Sequence, residues 1–318
     1  MSERSRIALL LARLGRDAPG VRVGIGDDAA VLDPGGLVWT IDVQVEGTHF
    51  RPEWVSWEDI GWRSFMAAAS DLAAMGAEPV AALSSLVLAP ALDDARLDAI
   101  ARGQAAASLA VGAPVVGGNL ARGSETSITT TLLGRAARPV LRSGAQPCDG
   151  VYLAGPVGLA AAGLALLMSS AHVQNAQVAA CLTAWRRPVA RLAEGRGLGL
   201  ARAHAAIDIS DGLAHDAEQL AEASGVAIVL DAAAILAHAG PDLETAARLL
   251  ARDALDLALN GGEDYALLAT SAVPLVGFTK VGTVETKRGG VSLLLLKNDR
   301  REILIPRGFD HFVSKPEA

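Results

Sequence analysis

Two sets of short apolar strands and amphipathic helices, separated by one polar seam, limit how this chain can fold. The first set includes a strand pattern at "LVWTID" and a helix pattern from Trp57 to Met75. The seam, "RPVLRSGAQPCDG", is rich in Pro, Gly and Arg. The strand patterns "VYLAG", "AIDIS" and "AIVLD" follow it. Because the order is mixed, we predict an α/β (α+β) fold with two α/β domains, residues 1–140 and 141–318.

The apolar composition is consistent with helices packed on sheets in both predicted domains. Hydrophobic residues make up 51% of the 318-residue chain and aromatic residues only 4%, so Ala, Val, Leu and Ile must build the cores. The pattern predicts further helices from Glu3 to Gly15 and from Asp93 to Val111. It also predicts that "APVVGGN" is a short buried strand.

Charge and hydropathy argue against several classes of partner. A net charge of −7 disfavours nucleic-acid binding, which requires a basic face. The longest apolar stretch, Val157 to Met168, is too short to span a membrane. Cys148 and Cys181 have neither metal-ligand nor redox spacing. We therefore expect a cytoplasmic protein with no nucleic-acid or membrane partner.

Acidic residues recur where an apolar run ends beside Gly or Ser. They are Asp27, Asp28, Asp42, Asp71, Asp208, Asp211, Glu263 and Asp264. Strand ends converge on one crevice in α/β folds, and carboxylates gathered there repel each other unless a cation is present. No lysine precedes Lys280, so a phosphate-handling site earlier in the chain has to work without one. Oxygen ligands of this kind suit Mg²⁺.

Each of these acidic residues also has a plain structural interpretation. Asp28 could be a turn former, Asp71 could cap or pair within its helix, and Asp211 could cap the helix after "ISDG". Glu263 and Asp264 could simply begin a strand after a Gly-Gly turn. We prefer the metal-site interpretation because it accounts for the whole set together.

Seven motifs carry a specific resemblance. The motifs "GIGDDAAVL", "VEGTHF", "ASDLAAMGAEP", "LRSGAQPCDG", "IDISDGL", "GGEDYALLAT" and "GFDHF" resemble those of thiamine-monophosphate kinases, in that family's order. The resemblance implies an N-terminal sheet that pairs with a twin's sheet in a homodimer, and a C-terminal domain of mixed sheet and helices. It also implies ATP as co-substrate, several Mg²⁺ ions, and phosphorylation of thiamine monophosphate to thiamine diphosphate by direct in-line transfer.

The same resemblance implies roles for individual residues. The metal ligands would be Asp28, Thr40, Asp42, Asp71, Asp208 and Asp211, and the catalytic residues Asp42, Asp71 and Asp208. The ATP contacts would be Gly118, Asn119, Arg142 and Ser210. The substrate contacts would be His49, Glu263 and Phe309. Such a reaction needs no general base, because the attacking phosphate oxygen is already largely anionic.

One motif departs from the family pattern and keeps two alternatives open. The family's "GGDTTRG" is here "GGNLARG", so that Asn119 replaces a metal-binding aspartate, and Ile41 stands where a threonine is usual. One alternative is a paralogue that phosphorylates another small phosphorylated metabolite. The other is a nucleotide-binding protein of the same fold without catalytic activity.

Overall fold

The computed structural model describes residues 20–23, 27–33, 35–169 and 176–308. The helix predicted near the N-terminus and the predicted substrate contact Phe309 lie outside these residues. The described part contains two sheets with helices packed on them, which confirms the predicted mixed α/β class. None of its helices combines the length and the apolar character that crossing a membrane requires.

The first sheet has six strands, with β3 and β6 near its centre. In chain order the strands are β1 (Val21–Val23), β2 (Ala30–Leu32), β3 (Leu37–Val45), β4 (Glu78–Leu88), β5 (Val115–Arg122) and β6 (Ser127–Arg135). Their spatial order is β1-β2-β3-β6-β4-β5, and every pair is antiparallel except β4 with β5. Helices α1 (Trp57–Ala74) and α2 (Asp94–Val111) pack against each other, and α1 also packs on β3 and β6.

Helices α1 and α2 approach so closely that glycine is required at their crossing. A methyl group added at Gly103 would overlap the carbonyl oxygen of Glu58, and one at Gly61 would overlap that of Ile100. Each helix begins at a side-chain cap, since Ser56 accepts a hydrogen bond from the Asp59 amide and Asp93 one from the Arg96 amide. The crossing fixes the position of α1.

Strand β5 corrects one prediction from sequence. "APVVGGN" was expected to form a buried strand, but all eight residues of β5 are exposed, at the edge of the sheet. A short apolar run does not distinguish a buried strand from an edge strand, because its apolar residues look the same in both. The register also pairs Asn119 with Ser85 of β4. The same line of cross-strand neighbours continues to Val43 of β3, whose side chain is exposed.

The second sheet has seven strands, in the spatial order β13-β12-β9-β11-β7-β10-β8. The strands are β7 (Gly150–Ala154), β8 (Ala205–Ile209), β9 (Val226–Asp231), β10 (Ala266–Ser271), β11 (Thr279–Thr286), β12 (Leu293–Lys297) and β13 (Arg300–Ile303). All pairs are antiparallel except β9 with β12. Every residue of β7, β8 and β10 is buried, because one face of these strands packs in the core shared with the first half and the other face in the second core.

Within the described residues, six helices accompany the second sheet. They are α3 (Leu159–Ser169), α4 (Ala179–Arg186), α5 (Leu192–Ala201), α6 (Leu213–Ser224), α7 (Ala232–Leu250) and α8 (Ala254–Asn260). Helix α5 packs on α1 of the first half, where a methyl group added at Gly195 would overlap the carbonyl oxygen of Ala73. The predicted domain division at residue 140 lies between β6 and β7.

The glycine crossing generates a prediction with a matched control. We expect Gly103→Ala to lower the free energy of unfolding by about 2 kcal/mol, because the new methyl group forces α1 and α2 apart. Gly197 in α5 has open space around it, so Gly197→Ala should raise the same quantity by roughly 0.5–1 kcal/mol. Urea unfolding of both variants measures the two changes. Equal effects of the two substitutions would show that the close approach does not constrain the fold.

Candidate functional site

Three carboxylates from distant parts of the sequence meet between the two halves. Asp28 lies two residues before β2, Asp71 lies in the last turns of α1, and Asp208 lies near the end of β8. One oxygen from each lies within 4.8 Å of the others. We call these three residues the carboxylate cluster. Asp28 and Asp208 are buried and Asp71 is partly buried, so water screens their mutual repulsion only weakly.

Burial and like charge together disfavour ionisation of Asp71 and Asp208. Burial raises the pKa of Asp71 well above its ordinary value, and the charges of Asp208 and Asp28 raise it further. The pKa of Asp208 is raised in the same direction, mainly by burial and by Asp28. The hydroxyl of Thr40 donates a hydrogen bond to Asp71, which opposes the shift. A bound cation would remove this repulsion.

Arg142, in the seam between the two sheets, compensates the cluster in part. Its Nη2 lies 2.6 Å from Oδ1 of Asp28, and its Nη1 donates to Gln219 at 3.2 Å. Its backbone amide donates to Asp27 at 3.1 Å. Although burial lowers the pKa of Arg142, the charge and hydrogen bond of Asp28 raise it above its ordinary value. The Arg142 guanidinium thus pairs with Asp28, and the charges of Asp208 and Asp27 also act on it.

One oxygen of the cluster lacks any hydrogen-bond partner among the described residues. Oδ2 of Asp28 is fully buried and unpaired, which is costly for a carboxylate oxygen. A cation-binding site would account for such an oxygen, because a bound ion would be its partner. The donor set consists of carboxylate oxygens, with a hydroxyl close by, which fits a hard divalent cation.

An ion pair between Arg63 and Glu263 also connects the two halves. Arg63 of α1 lies 2.7 Å from Oε1 of Glu263, and the indole Nε1 of Trp185 donates to Oε2 of Glu263 at 2.6 Å. Asp42 of β3 also interacts with Glu263. The pKa of Asp42 is raised to about 6, mainly by burial, while a hydrogen bond from Gln44 lowers it. Glu263 therefore belongs to an ion pair and does not begin strand β10.

Asp211 does not join the carboxylate cluster. Its carboxylate lies instead in a group with His215 and Asp216, whose potential ligand atoms lie within 4.8 Å of one another. Asp216 accepts hydrogen bonds from the backbone amides of Ser210, Asp211 and Gly212, each at 3.2 Å. The turn is thus held by Asp216, and the interpretation of Asp211 as a cap is wrong. An acidic residue in the first turn of α6 was the sequence signal for this role.

Asp264 has a structural role that the sequence analysis did not predict. It accepts hydrogen bonds from the amides of Gly158 at 2.6 Å and Ala160 at 3.1 Å, at the start of α3. Burial raises its pKa to about 7. Because its partners are about a hundred positions away, no local motif could indicate this cap.

Four of the predicted ligand contacts lie outside the carboxylate cluster. His49 follows β3, and its Nδ1 accepts a hydrogen bond from the Val45 amide at 3.1 Å. Gly118 and Asn119 lie on β5, three strands from β3, a separation of about 14 Å at the usual strand spacing. The side chain of Asn119 therefore does not reach the cluster of its own chain. Ser210 lies at the turn after β8, where its carbonyl accepts from the Glu263 amide at 2.7 Å.

Comparison with known proteins identifies the class to which this fold and site belong. A family model described as "AIR synthase related protein, N-terminal domain" matches residues 26–136. The chain is 32% identical to the thiamine-monophosphate kinase of Bacillus subtilis, over 92% of this chain and 94% of that protein. It is also 32% identical to the thiamine-monophosphate kinase of Escherichia coli strain K12, over 98% of both chains.

A solved structure of AaThiL complexed with AMPPCP and TMP matches with a TM-score of 0.87 and 30% identity. The match covers 98% of this chain and 97% of that chain. The chain is thus an enzyme in which residues 26–136 resemble the N-terminal domain of AIR synthase related proteins. Within that class, the chain belongs to the thiamine-monophosphate kinase family, which confirms the resemblance found in its sequence motifs.

The repulsion within the cluster can be measured directly. In the presence of a chelator, we expect Asp71→Asn to raise the free energy of unfolding by roughly 1 kcal/mol, because one of three repelling carboxylates is removed. Adding millimolar Mg²⁺ should then stabilise the wild type more than the variant.

Asp98→Asn provides the control, since Asp98 is an exposed acidic residue in α2. This substitution should change neither the free energy of unfolding nor the stabilisation by Mg²⁺ appreciably. Thermal and urea unfolding, with and without Mg²⁺, make the comparison. Equal Mg²⁺ stabilisation of the wild type and of Asp71→Asn would contradict a cation site at the cluster.

Proposed function

We propose that this protein catalyses the ATP- and Mg²⁺-dependent phosphorylation of thiamine monophosphate to thiamine diphosphate. Family membership supports the reaction, and so does the similarity to AaThiL complexed with AMPPCP and TMP. The observation that carries the proposal is the carboxylate cluster with its unpaired buried oxygen on Asp28. A kinase that joins two polyanions needs such a site for divalent cations more than it needs a base.

Residues of both halves would hold the Mg²⁺ ions. Asp28, Asp71 and Asp208 supply the converging oxygens, and Thr40 and Asp42 lie beside them on β3. When bound, Mg²⁺ reduces the repulsion between the phosphates and orients the transferred group. Asp211 would contribute through its separate group with His215 and Asp216.

The chain's own residues would bind and orient the two phosphate-bearing substrates. An oxygen of the thiamine monophosphate phosphate attacks the γ-phosphorus of ATP in line, and ADP leaves. The guanidinium of Arg142 borders the cluster, and its Nε is buried without a hydrogen-bond partner among the described residues. A phosphate oxygen of ATP would supply that partner. Ser210, at the turn after β8, is a second candidate contact for ATP.

The thiamine end of the substrate would lie towards Glu263. The side chain of Glu263 is 25% exposed although both of its oxygens accept hydrogen bonds, so it can still meet a ligand. His49 and Phe309 remain predicted contacts from the resemblance.

We also propose that the protein is a homodimer formed through the first sheet. Opposite the helices, the sheet has an open face with the exposed apolar side chains of Trp39, Ile41, Val43 and Leu83. An apolar patch of this kind is typical of an interface. The register places Asn119 on the same face, so a twin's sheet would also cover this predicted ATP contact.

The reaction is tested by incubating purified protein with ATP, Mg²⁺ and thiamine monophosphate and separating the products. We expect equal amounts of ADP and thiamine diphosphate. Asp71→Asn should reduce the turnover about a thousandfold, because losing a shared metal ligand costs several kcal/mol at about 1.4 kcal/mol per tenfold in rate. Asp98→Asn should retain wild-type turnover.

Other outcomes favour the two alternatives. Phosphorylation of a different phosphorylated metabolite, with thiamine monophosphate refused, would indicate a paralogue. Nucleotide binding without production of ADP would indicate a protein that has lost catalysis. Near-normal turnover by Asp71→Asn would remove Asp71 from the site.

The dimer proposal has its own test. Ile41→Glu places a charge at the centre of the open face, where the side chain is 69% exposed in the single chain, and should yield a monomer because burying that charge is costly. Val276→Glu, at a loop position that is 96% exposed, should leave the mass unchanged. Light scattering coupled to gel filtration measures both masses. A monomeric wild type, or a dimeric Ile41→Glu variant, would contradict the proposed interface.

A further inference from the structure

The side chain of Arg63 lies buried between the two halves and contacts two residues of the second half. It is 1% exposed, and it donates hydrogen bonds to the carbonyl oxygen of Trp185 and to Oε1 of Glu263. Its guanidinium carbon lies 4.5 Å from the centre of the Trp185 ring. Planar stacking and a fork of donors are properties of arginine that lysine does not share. The position of this guanidinium is therefore tightly determined.

Trp185 also packs against a second aromatic side chain. Its ring packs edge-on against Trp54, with 6.3 Å between ring centres. The carbonyl oxygen of Trp54 accepts a hydrogen bond from Nε of Arg186 at 2.8 Å, which ties Trp54 to the end of α4. Trp185 itself is 2% exposed, so its indole N–H has one orientation, towards Oε2 of Glu263.

Glu263 is held by its backbone as well as by its side chain. Its φ of +65° lies in the left-handed region, which is uncommon for a residue other than glycine. Its amide donates to the carbonyl oxygen of Ser210 at 2.7 Å, and the next residue but one, Tyr265, donates to Ile209 at 2.8 Å. These bonds attach the "GGEDY" segment to the end of β8, the strand that carries Asp208.

We propose that Arg63 and Trp185 are positioning residues that hold the Glu263 carboxylate in place to receive the substrate. The inference rests on the proposed function, in which Glu263 contacts thiamine monophosphate. A carboxylate offers about four acceptor positions, and Arg63 and Trp185 occupy one on each oxygen. The side chain remains 25% exposed, so the other positions are open to a donor or a cationic group of the ligand.

A purely structural ion pair would not need this arrangement. Replacing a buried ion pair with packed apolar residues is often neutral for stability, so stability alone gives little reason for one. Here the side chain of Arg63 is fully buried, and that of Glu263 is partly exposed. Two directional donors fix the orientation of a carboxylate, and fixed orientation favours binding because less conformational freedom is lost when the ligand arrives.

Trp185→Phe tests the proposal because it removes one donor and keeps the ring. We expect the KM for thiamine monophosphate to rise about tenfold, the typical effect of losing a hydrogen bond to a charged group. The KM for ATP should stay within about twofold of the wild type. Arg63→Lys keeps the charge and loses the forked pair of donors, so it should also raise the KM for thiamine monophosphate.

Trp62→Phe is the matched control. Trp62 also donates its indole N–H to a protein acceptor, the carbonyl oxygen of Pro188 at 2.6 Å, and also lies beneath an arginine, Arg187, at 4.2 Å. No contact with Glu263 is involved, so neither KM should change. A similar rise in both KM values, or the same rise in Trp62→Phe, would overturn the proposal in favour of general packing.

A double-mutant cycle with Glu263→Gln separates positioning from an independent role. If Trp185 acts through Glu263, the double variant Trp185→Phe/Glu263→Gln should have the same KM for thiamine monophosphate as Glu263→Gln alone. Additive effects, or an unchanged KM in Trp185→Phe, would overturn the inference while leaving an active wild type and its proposed function intact. A wild type that forms no thiamine diphosphate would overturn both.

Discussion

The repulsion among three buried carboxylates is the interaction on which the rest of this structure depends. Asp28, Asp71 and Asp208 come from different elements, and each alone could form a turn or a surface contact. Burial and like charge raise the pKa values of Asp71 and Asp208, and one oxygen of Asp28 has no hydrogen-bond partner among the described residues, which lowers the stability of the protein when no cation is bound. Such a cost is typical of a functional site, where binding of a cation offsets it.

The contacts between the two halves maintain that unfavourable arrangement. Helix α1 carries Asp71 and is fixed by its glycine crossing with α2 and by the packing of α5. Arg142 connects the seam to Asp27 and Asp28, and Arg63 connects α1 to Glu263. The polar contacts between the two halves thus lie next to the carboxylate cluster. The same interface therefore positions the cluster and Glu263, the proposed contact for the thiamine end of the substrate.

The sequence was sufficient for the fold class, and the eight acidic residues that it singled out include all three members of the cluster, although Asp71 lies in a helix and not at a strand end. The sequence was insufficient wherever the role of a residue depends on backbone groups that are distant in the sequence. Asp211 and Asp216 are close in sequence, and only the turn geometry shows which one accepts the amides. Asp264 caps a helix about a hundred residues away. Strand β5 resembles a buried strand, and only its place in the sheet order makes it an exposed edge.

The central claim is that the carboxylate cluster binds divalent cations, and a crystal soaked in Mn²⁺ tests it most directly. Mn²⁺ replaces Mg²⁺ at oxygen sites and scatters anomalously. The account predicts an anomalous peak within about 2.5 Å of oxygens from Asp28, Asp71 and Asp208, close to the distances at which such ions bind carboxylates. The absence of a peak at the cluster, with ordered Mn²⁺ elsewhere in the same crystal, would contradict it.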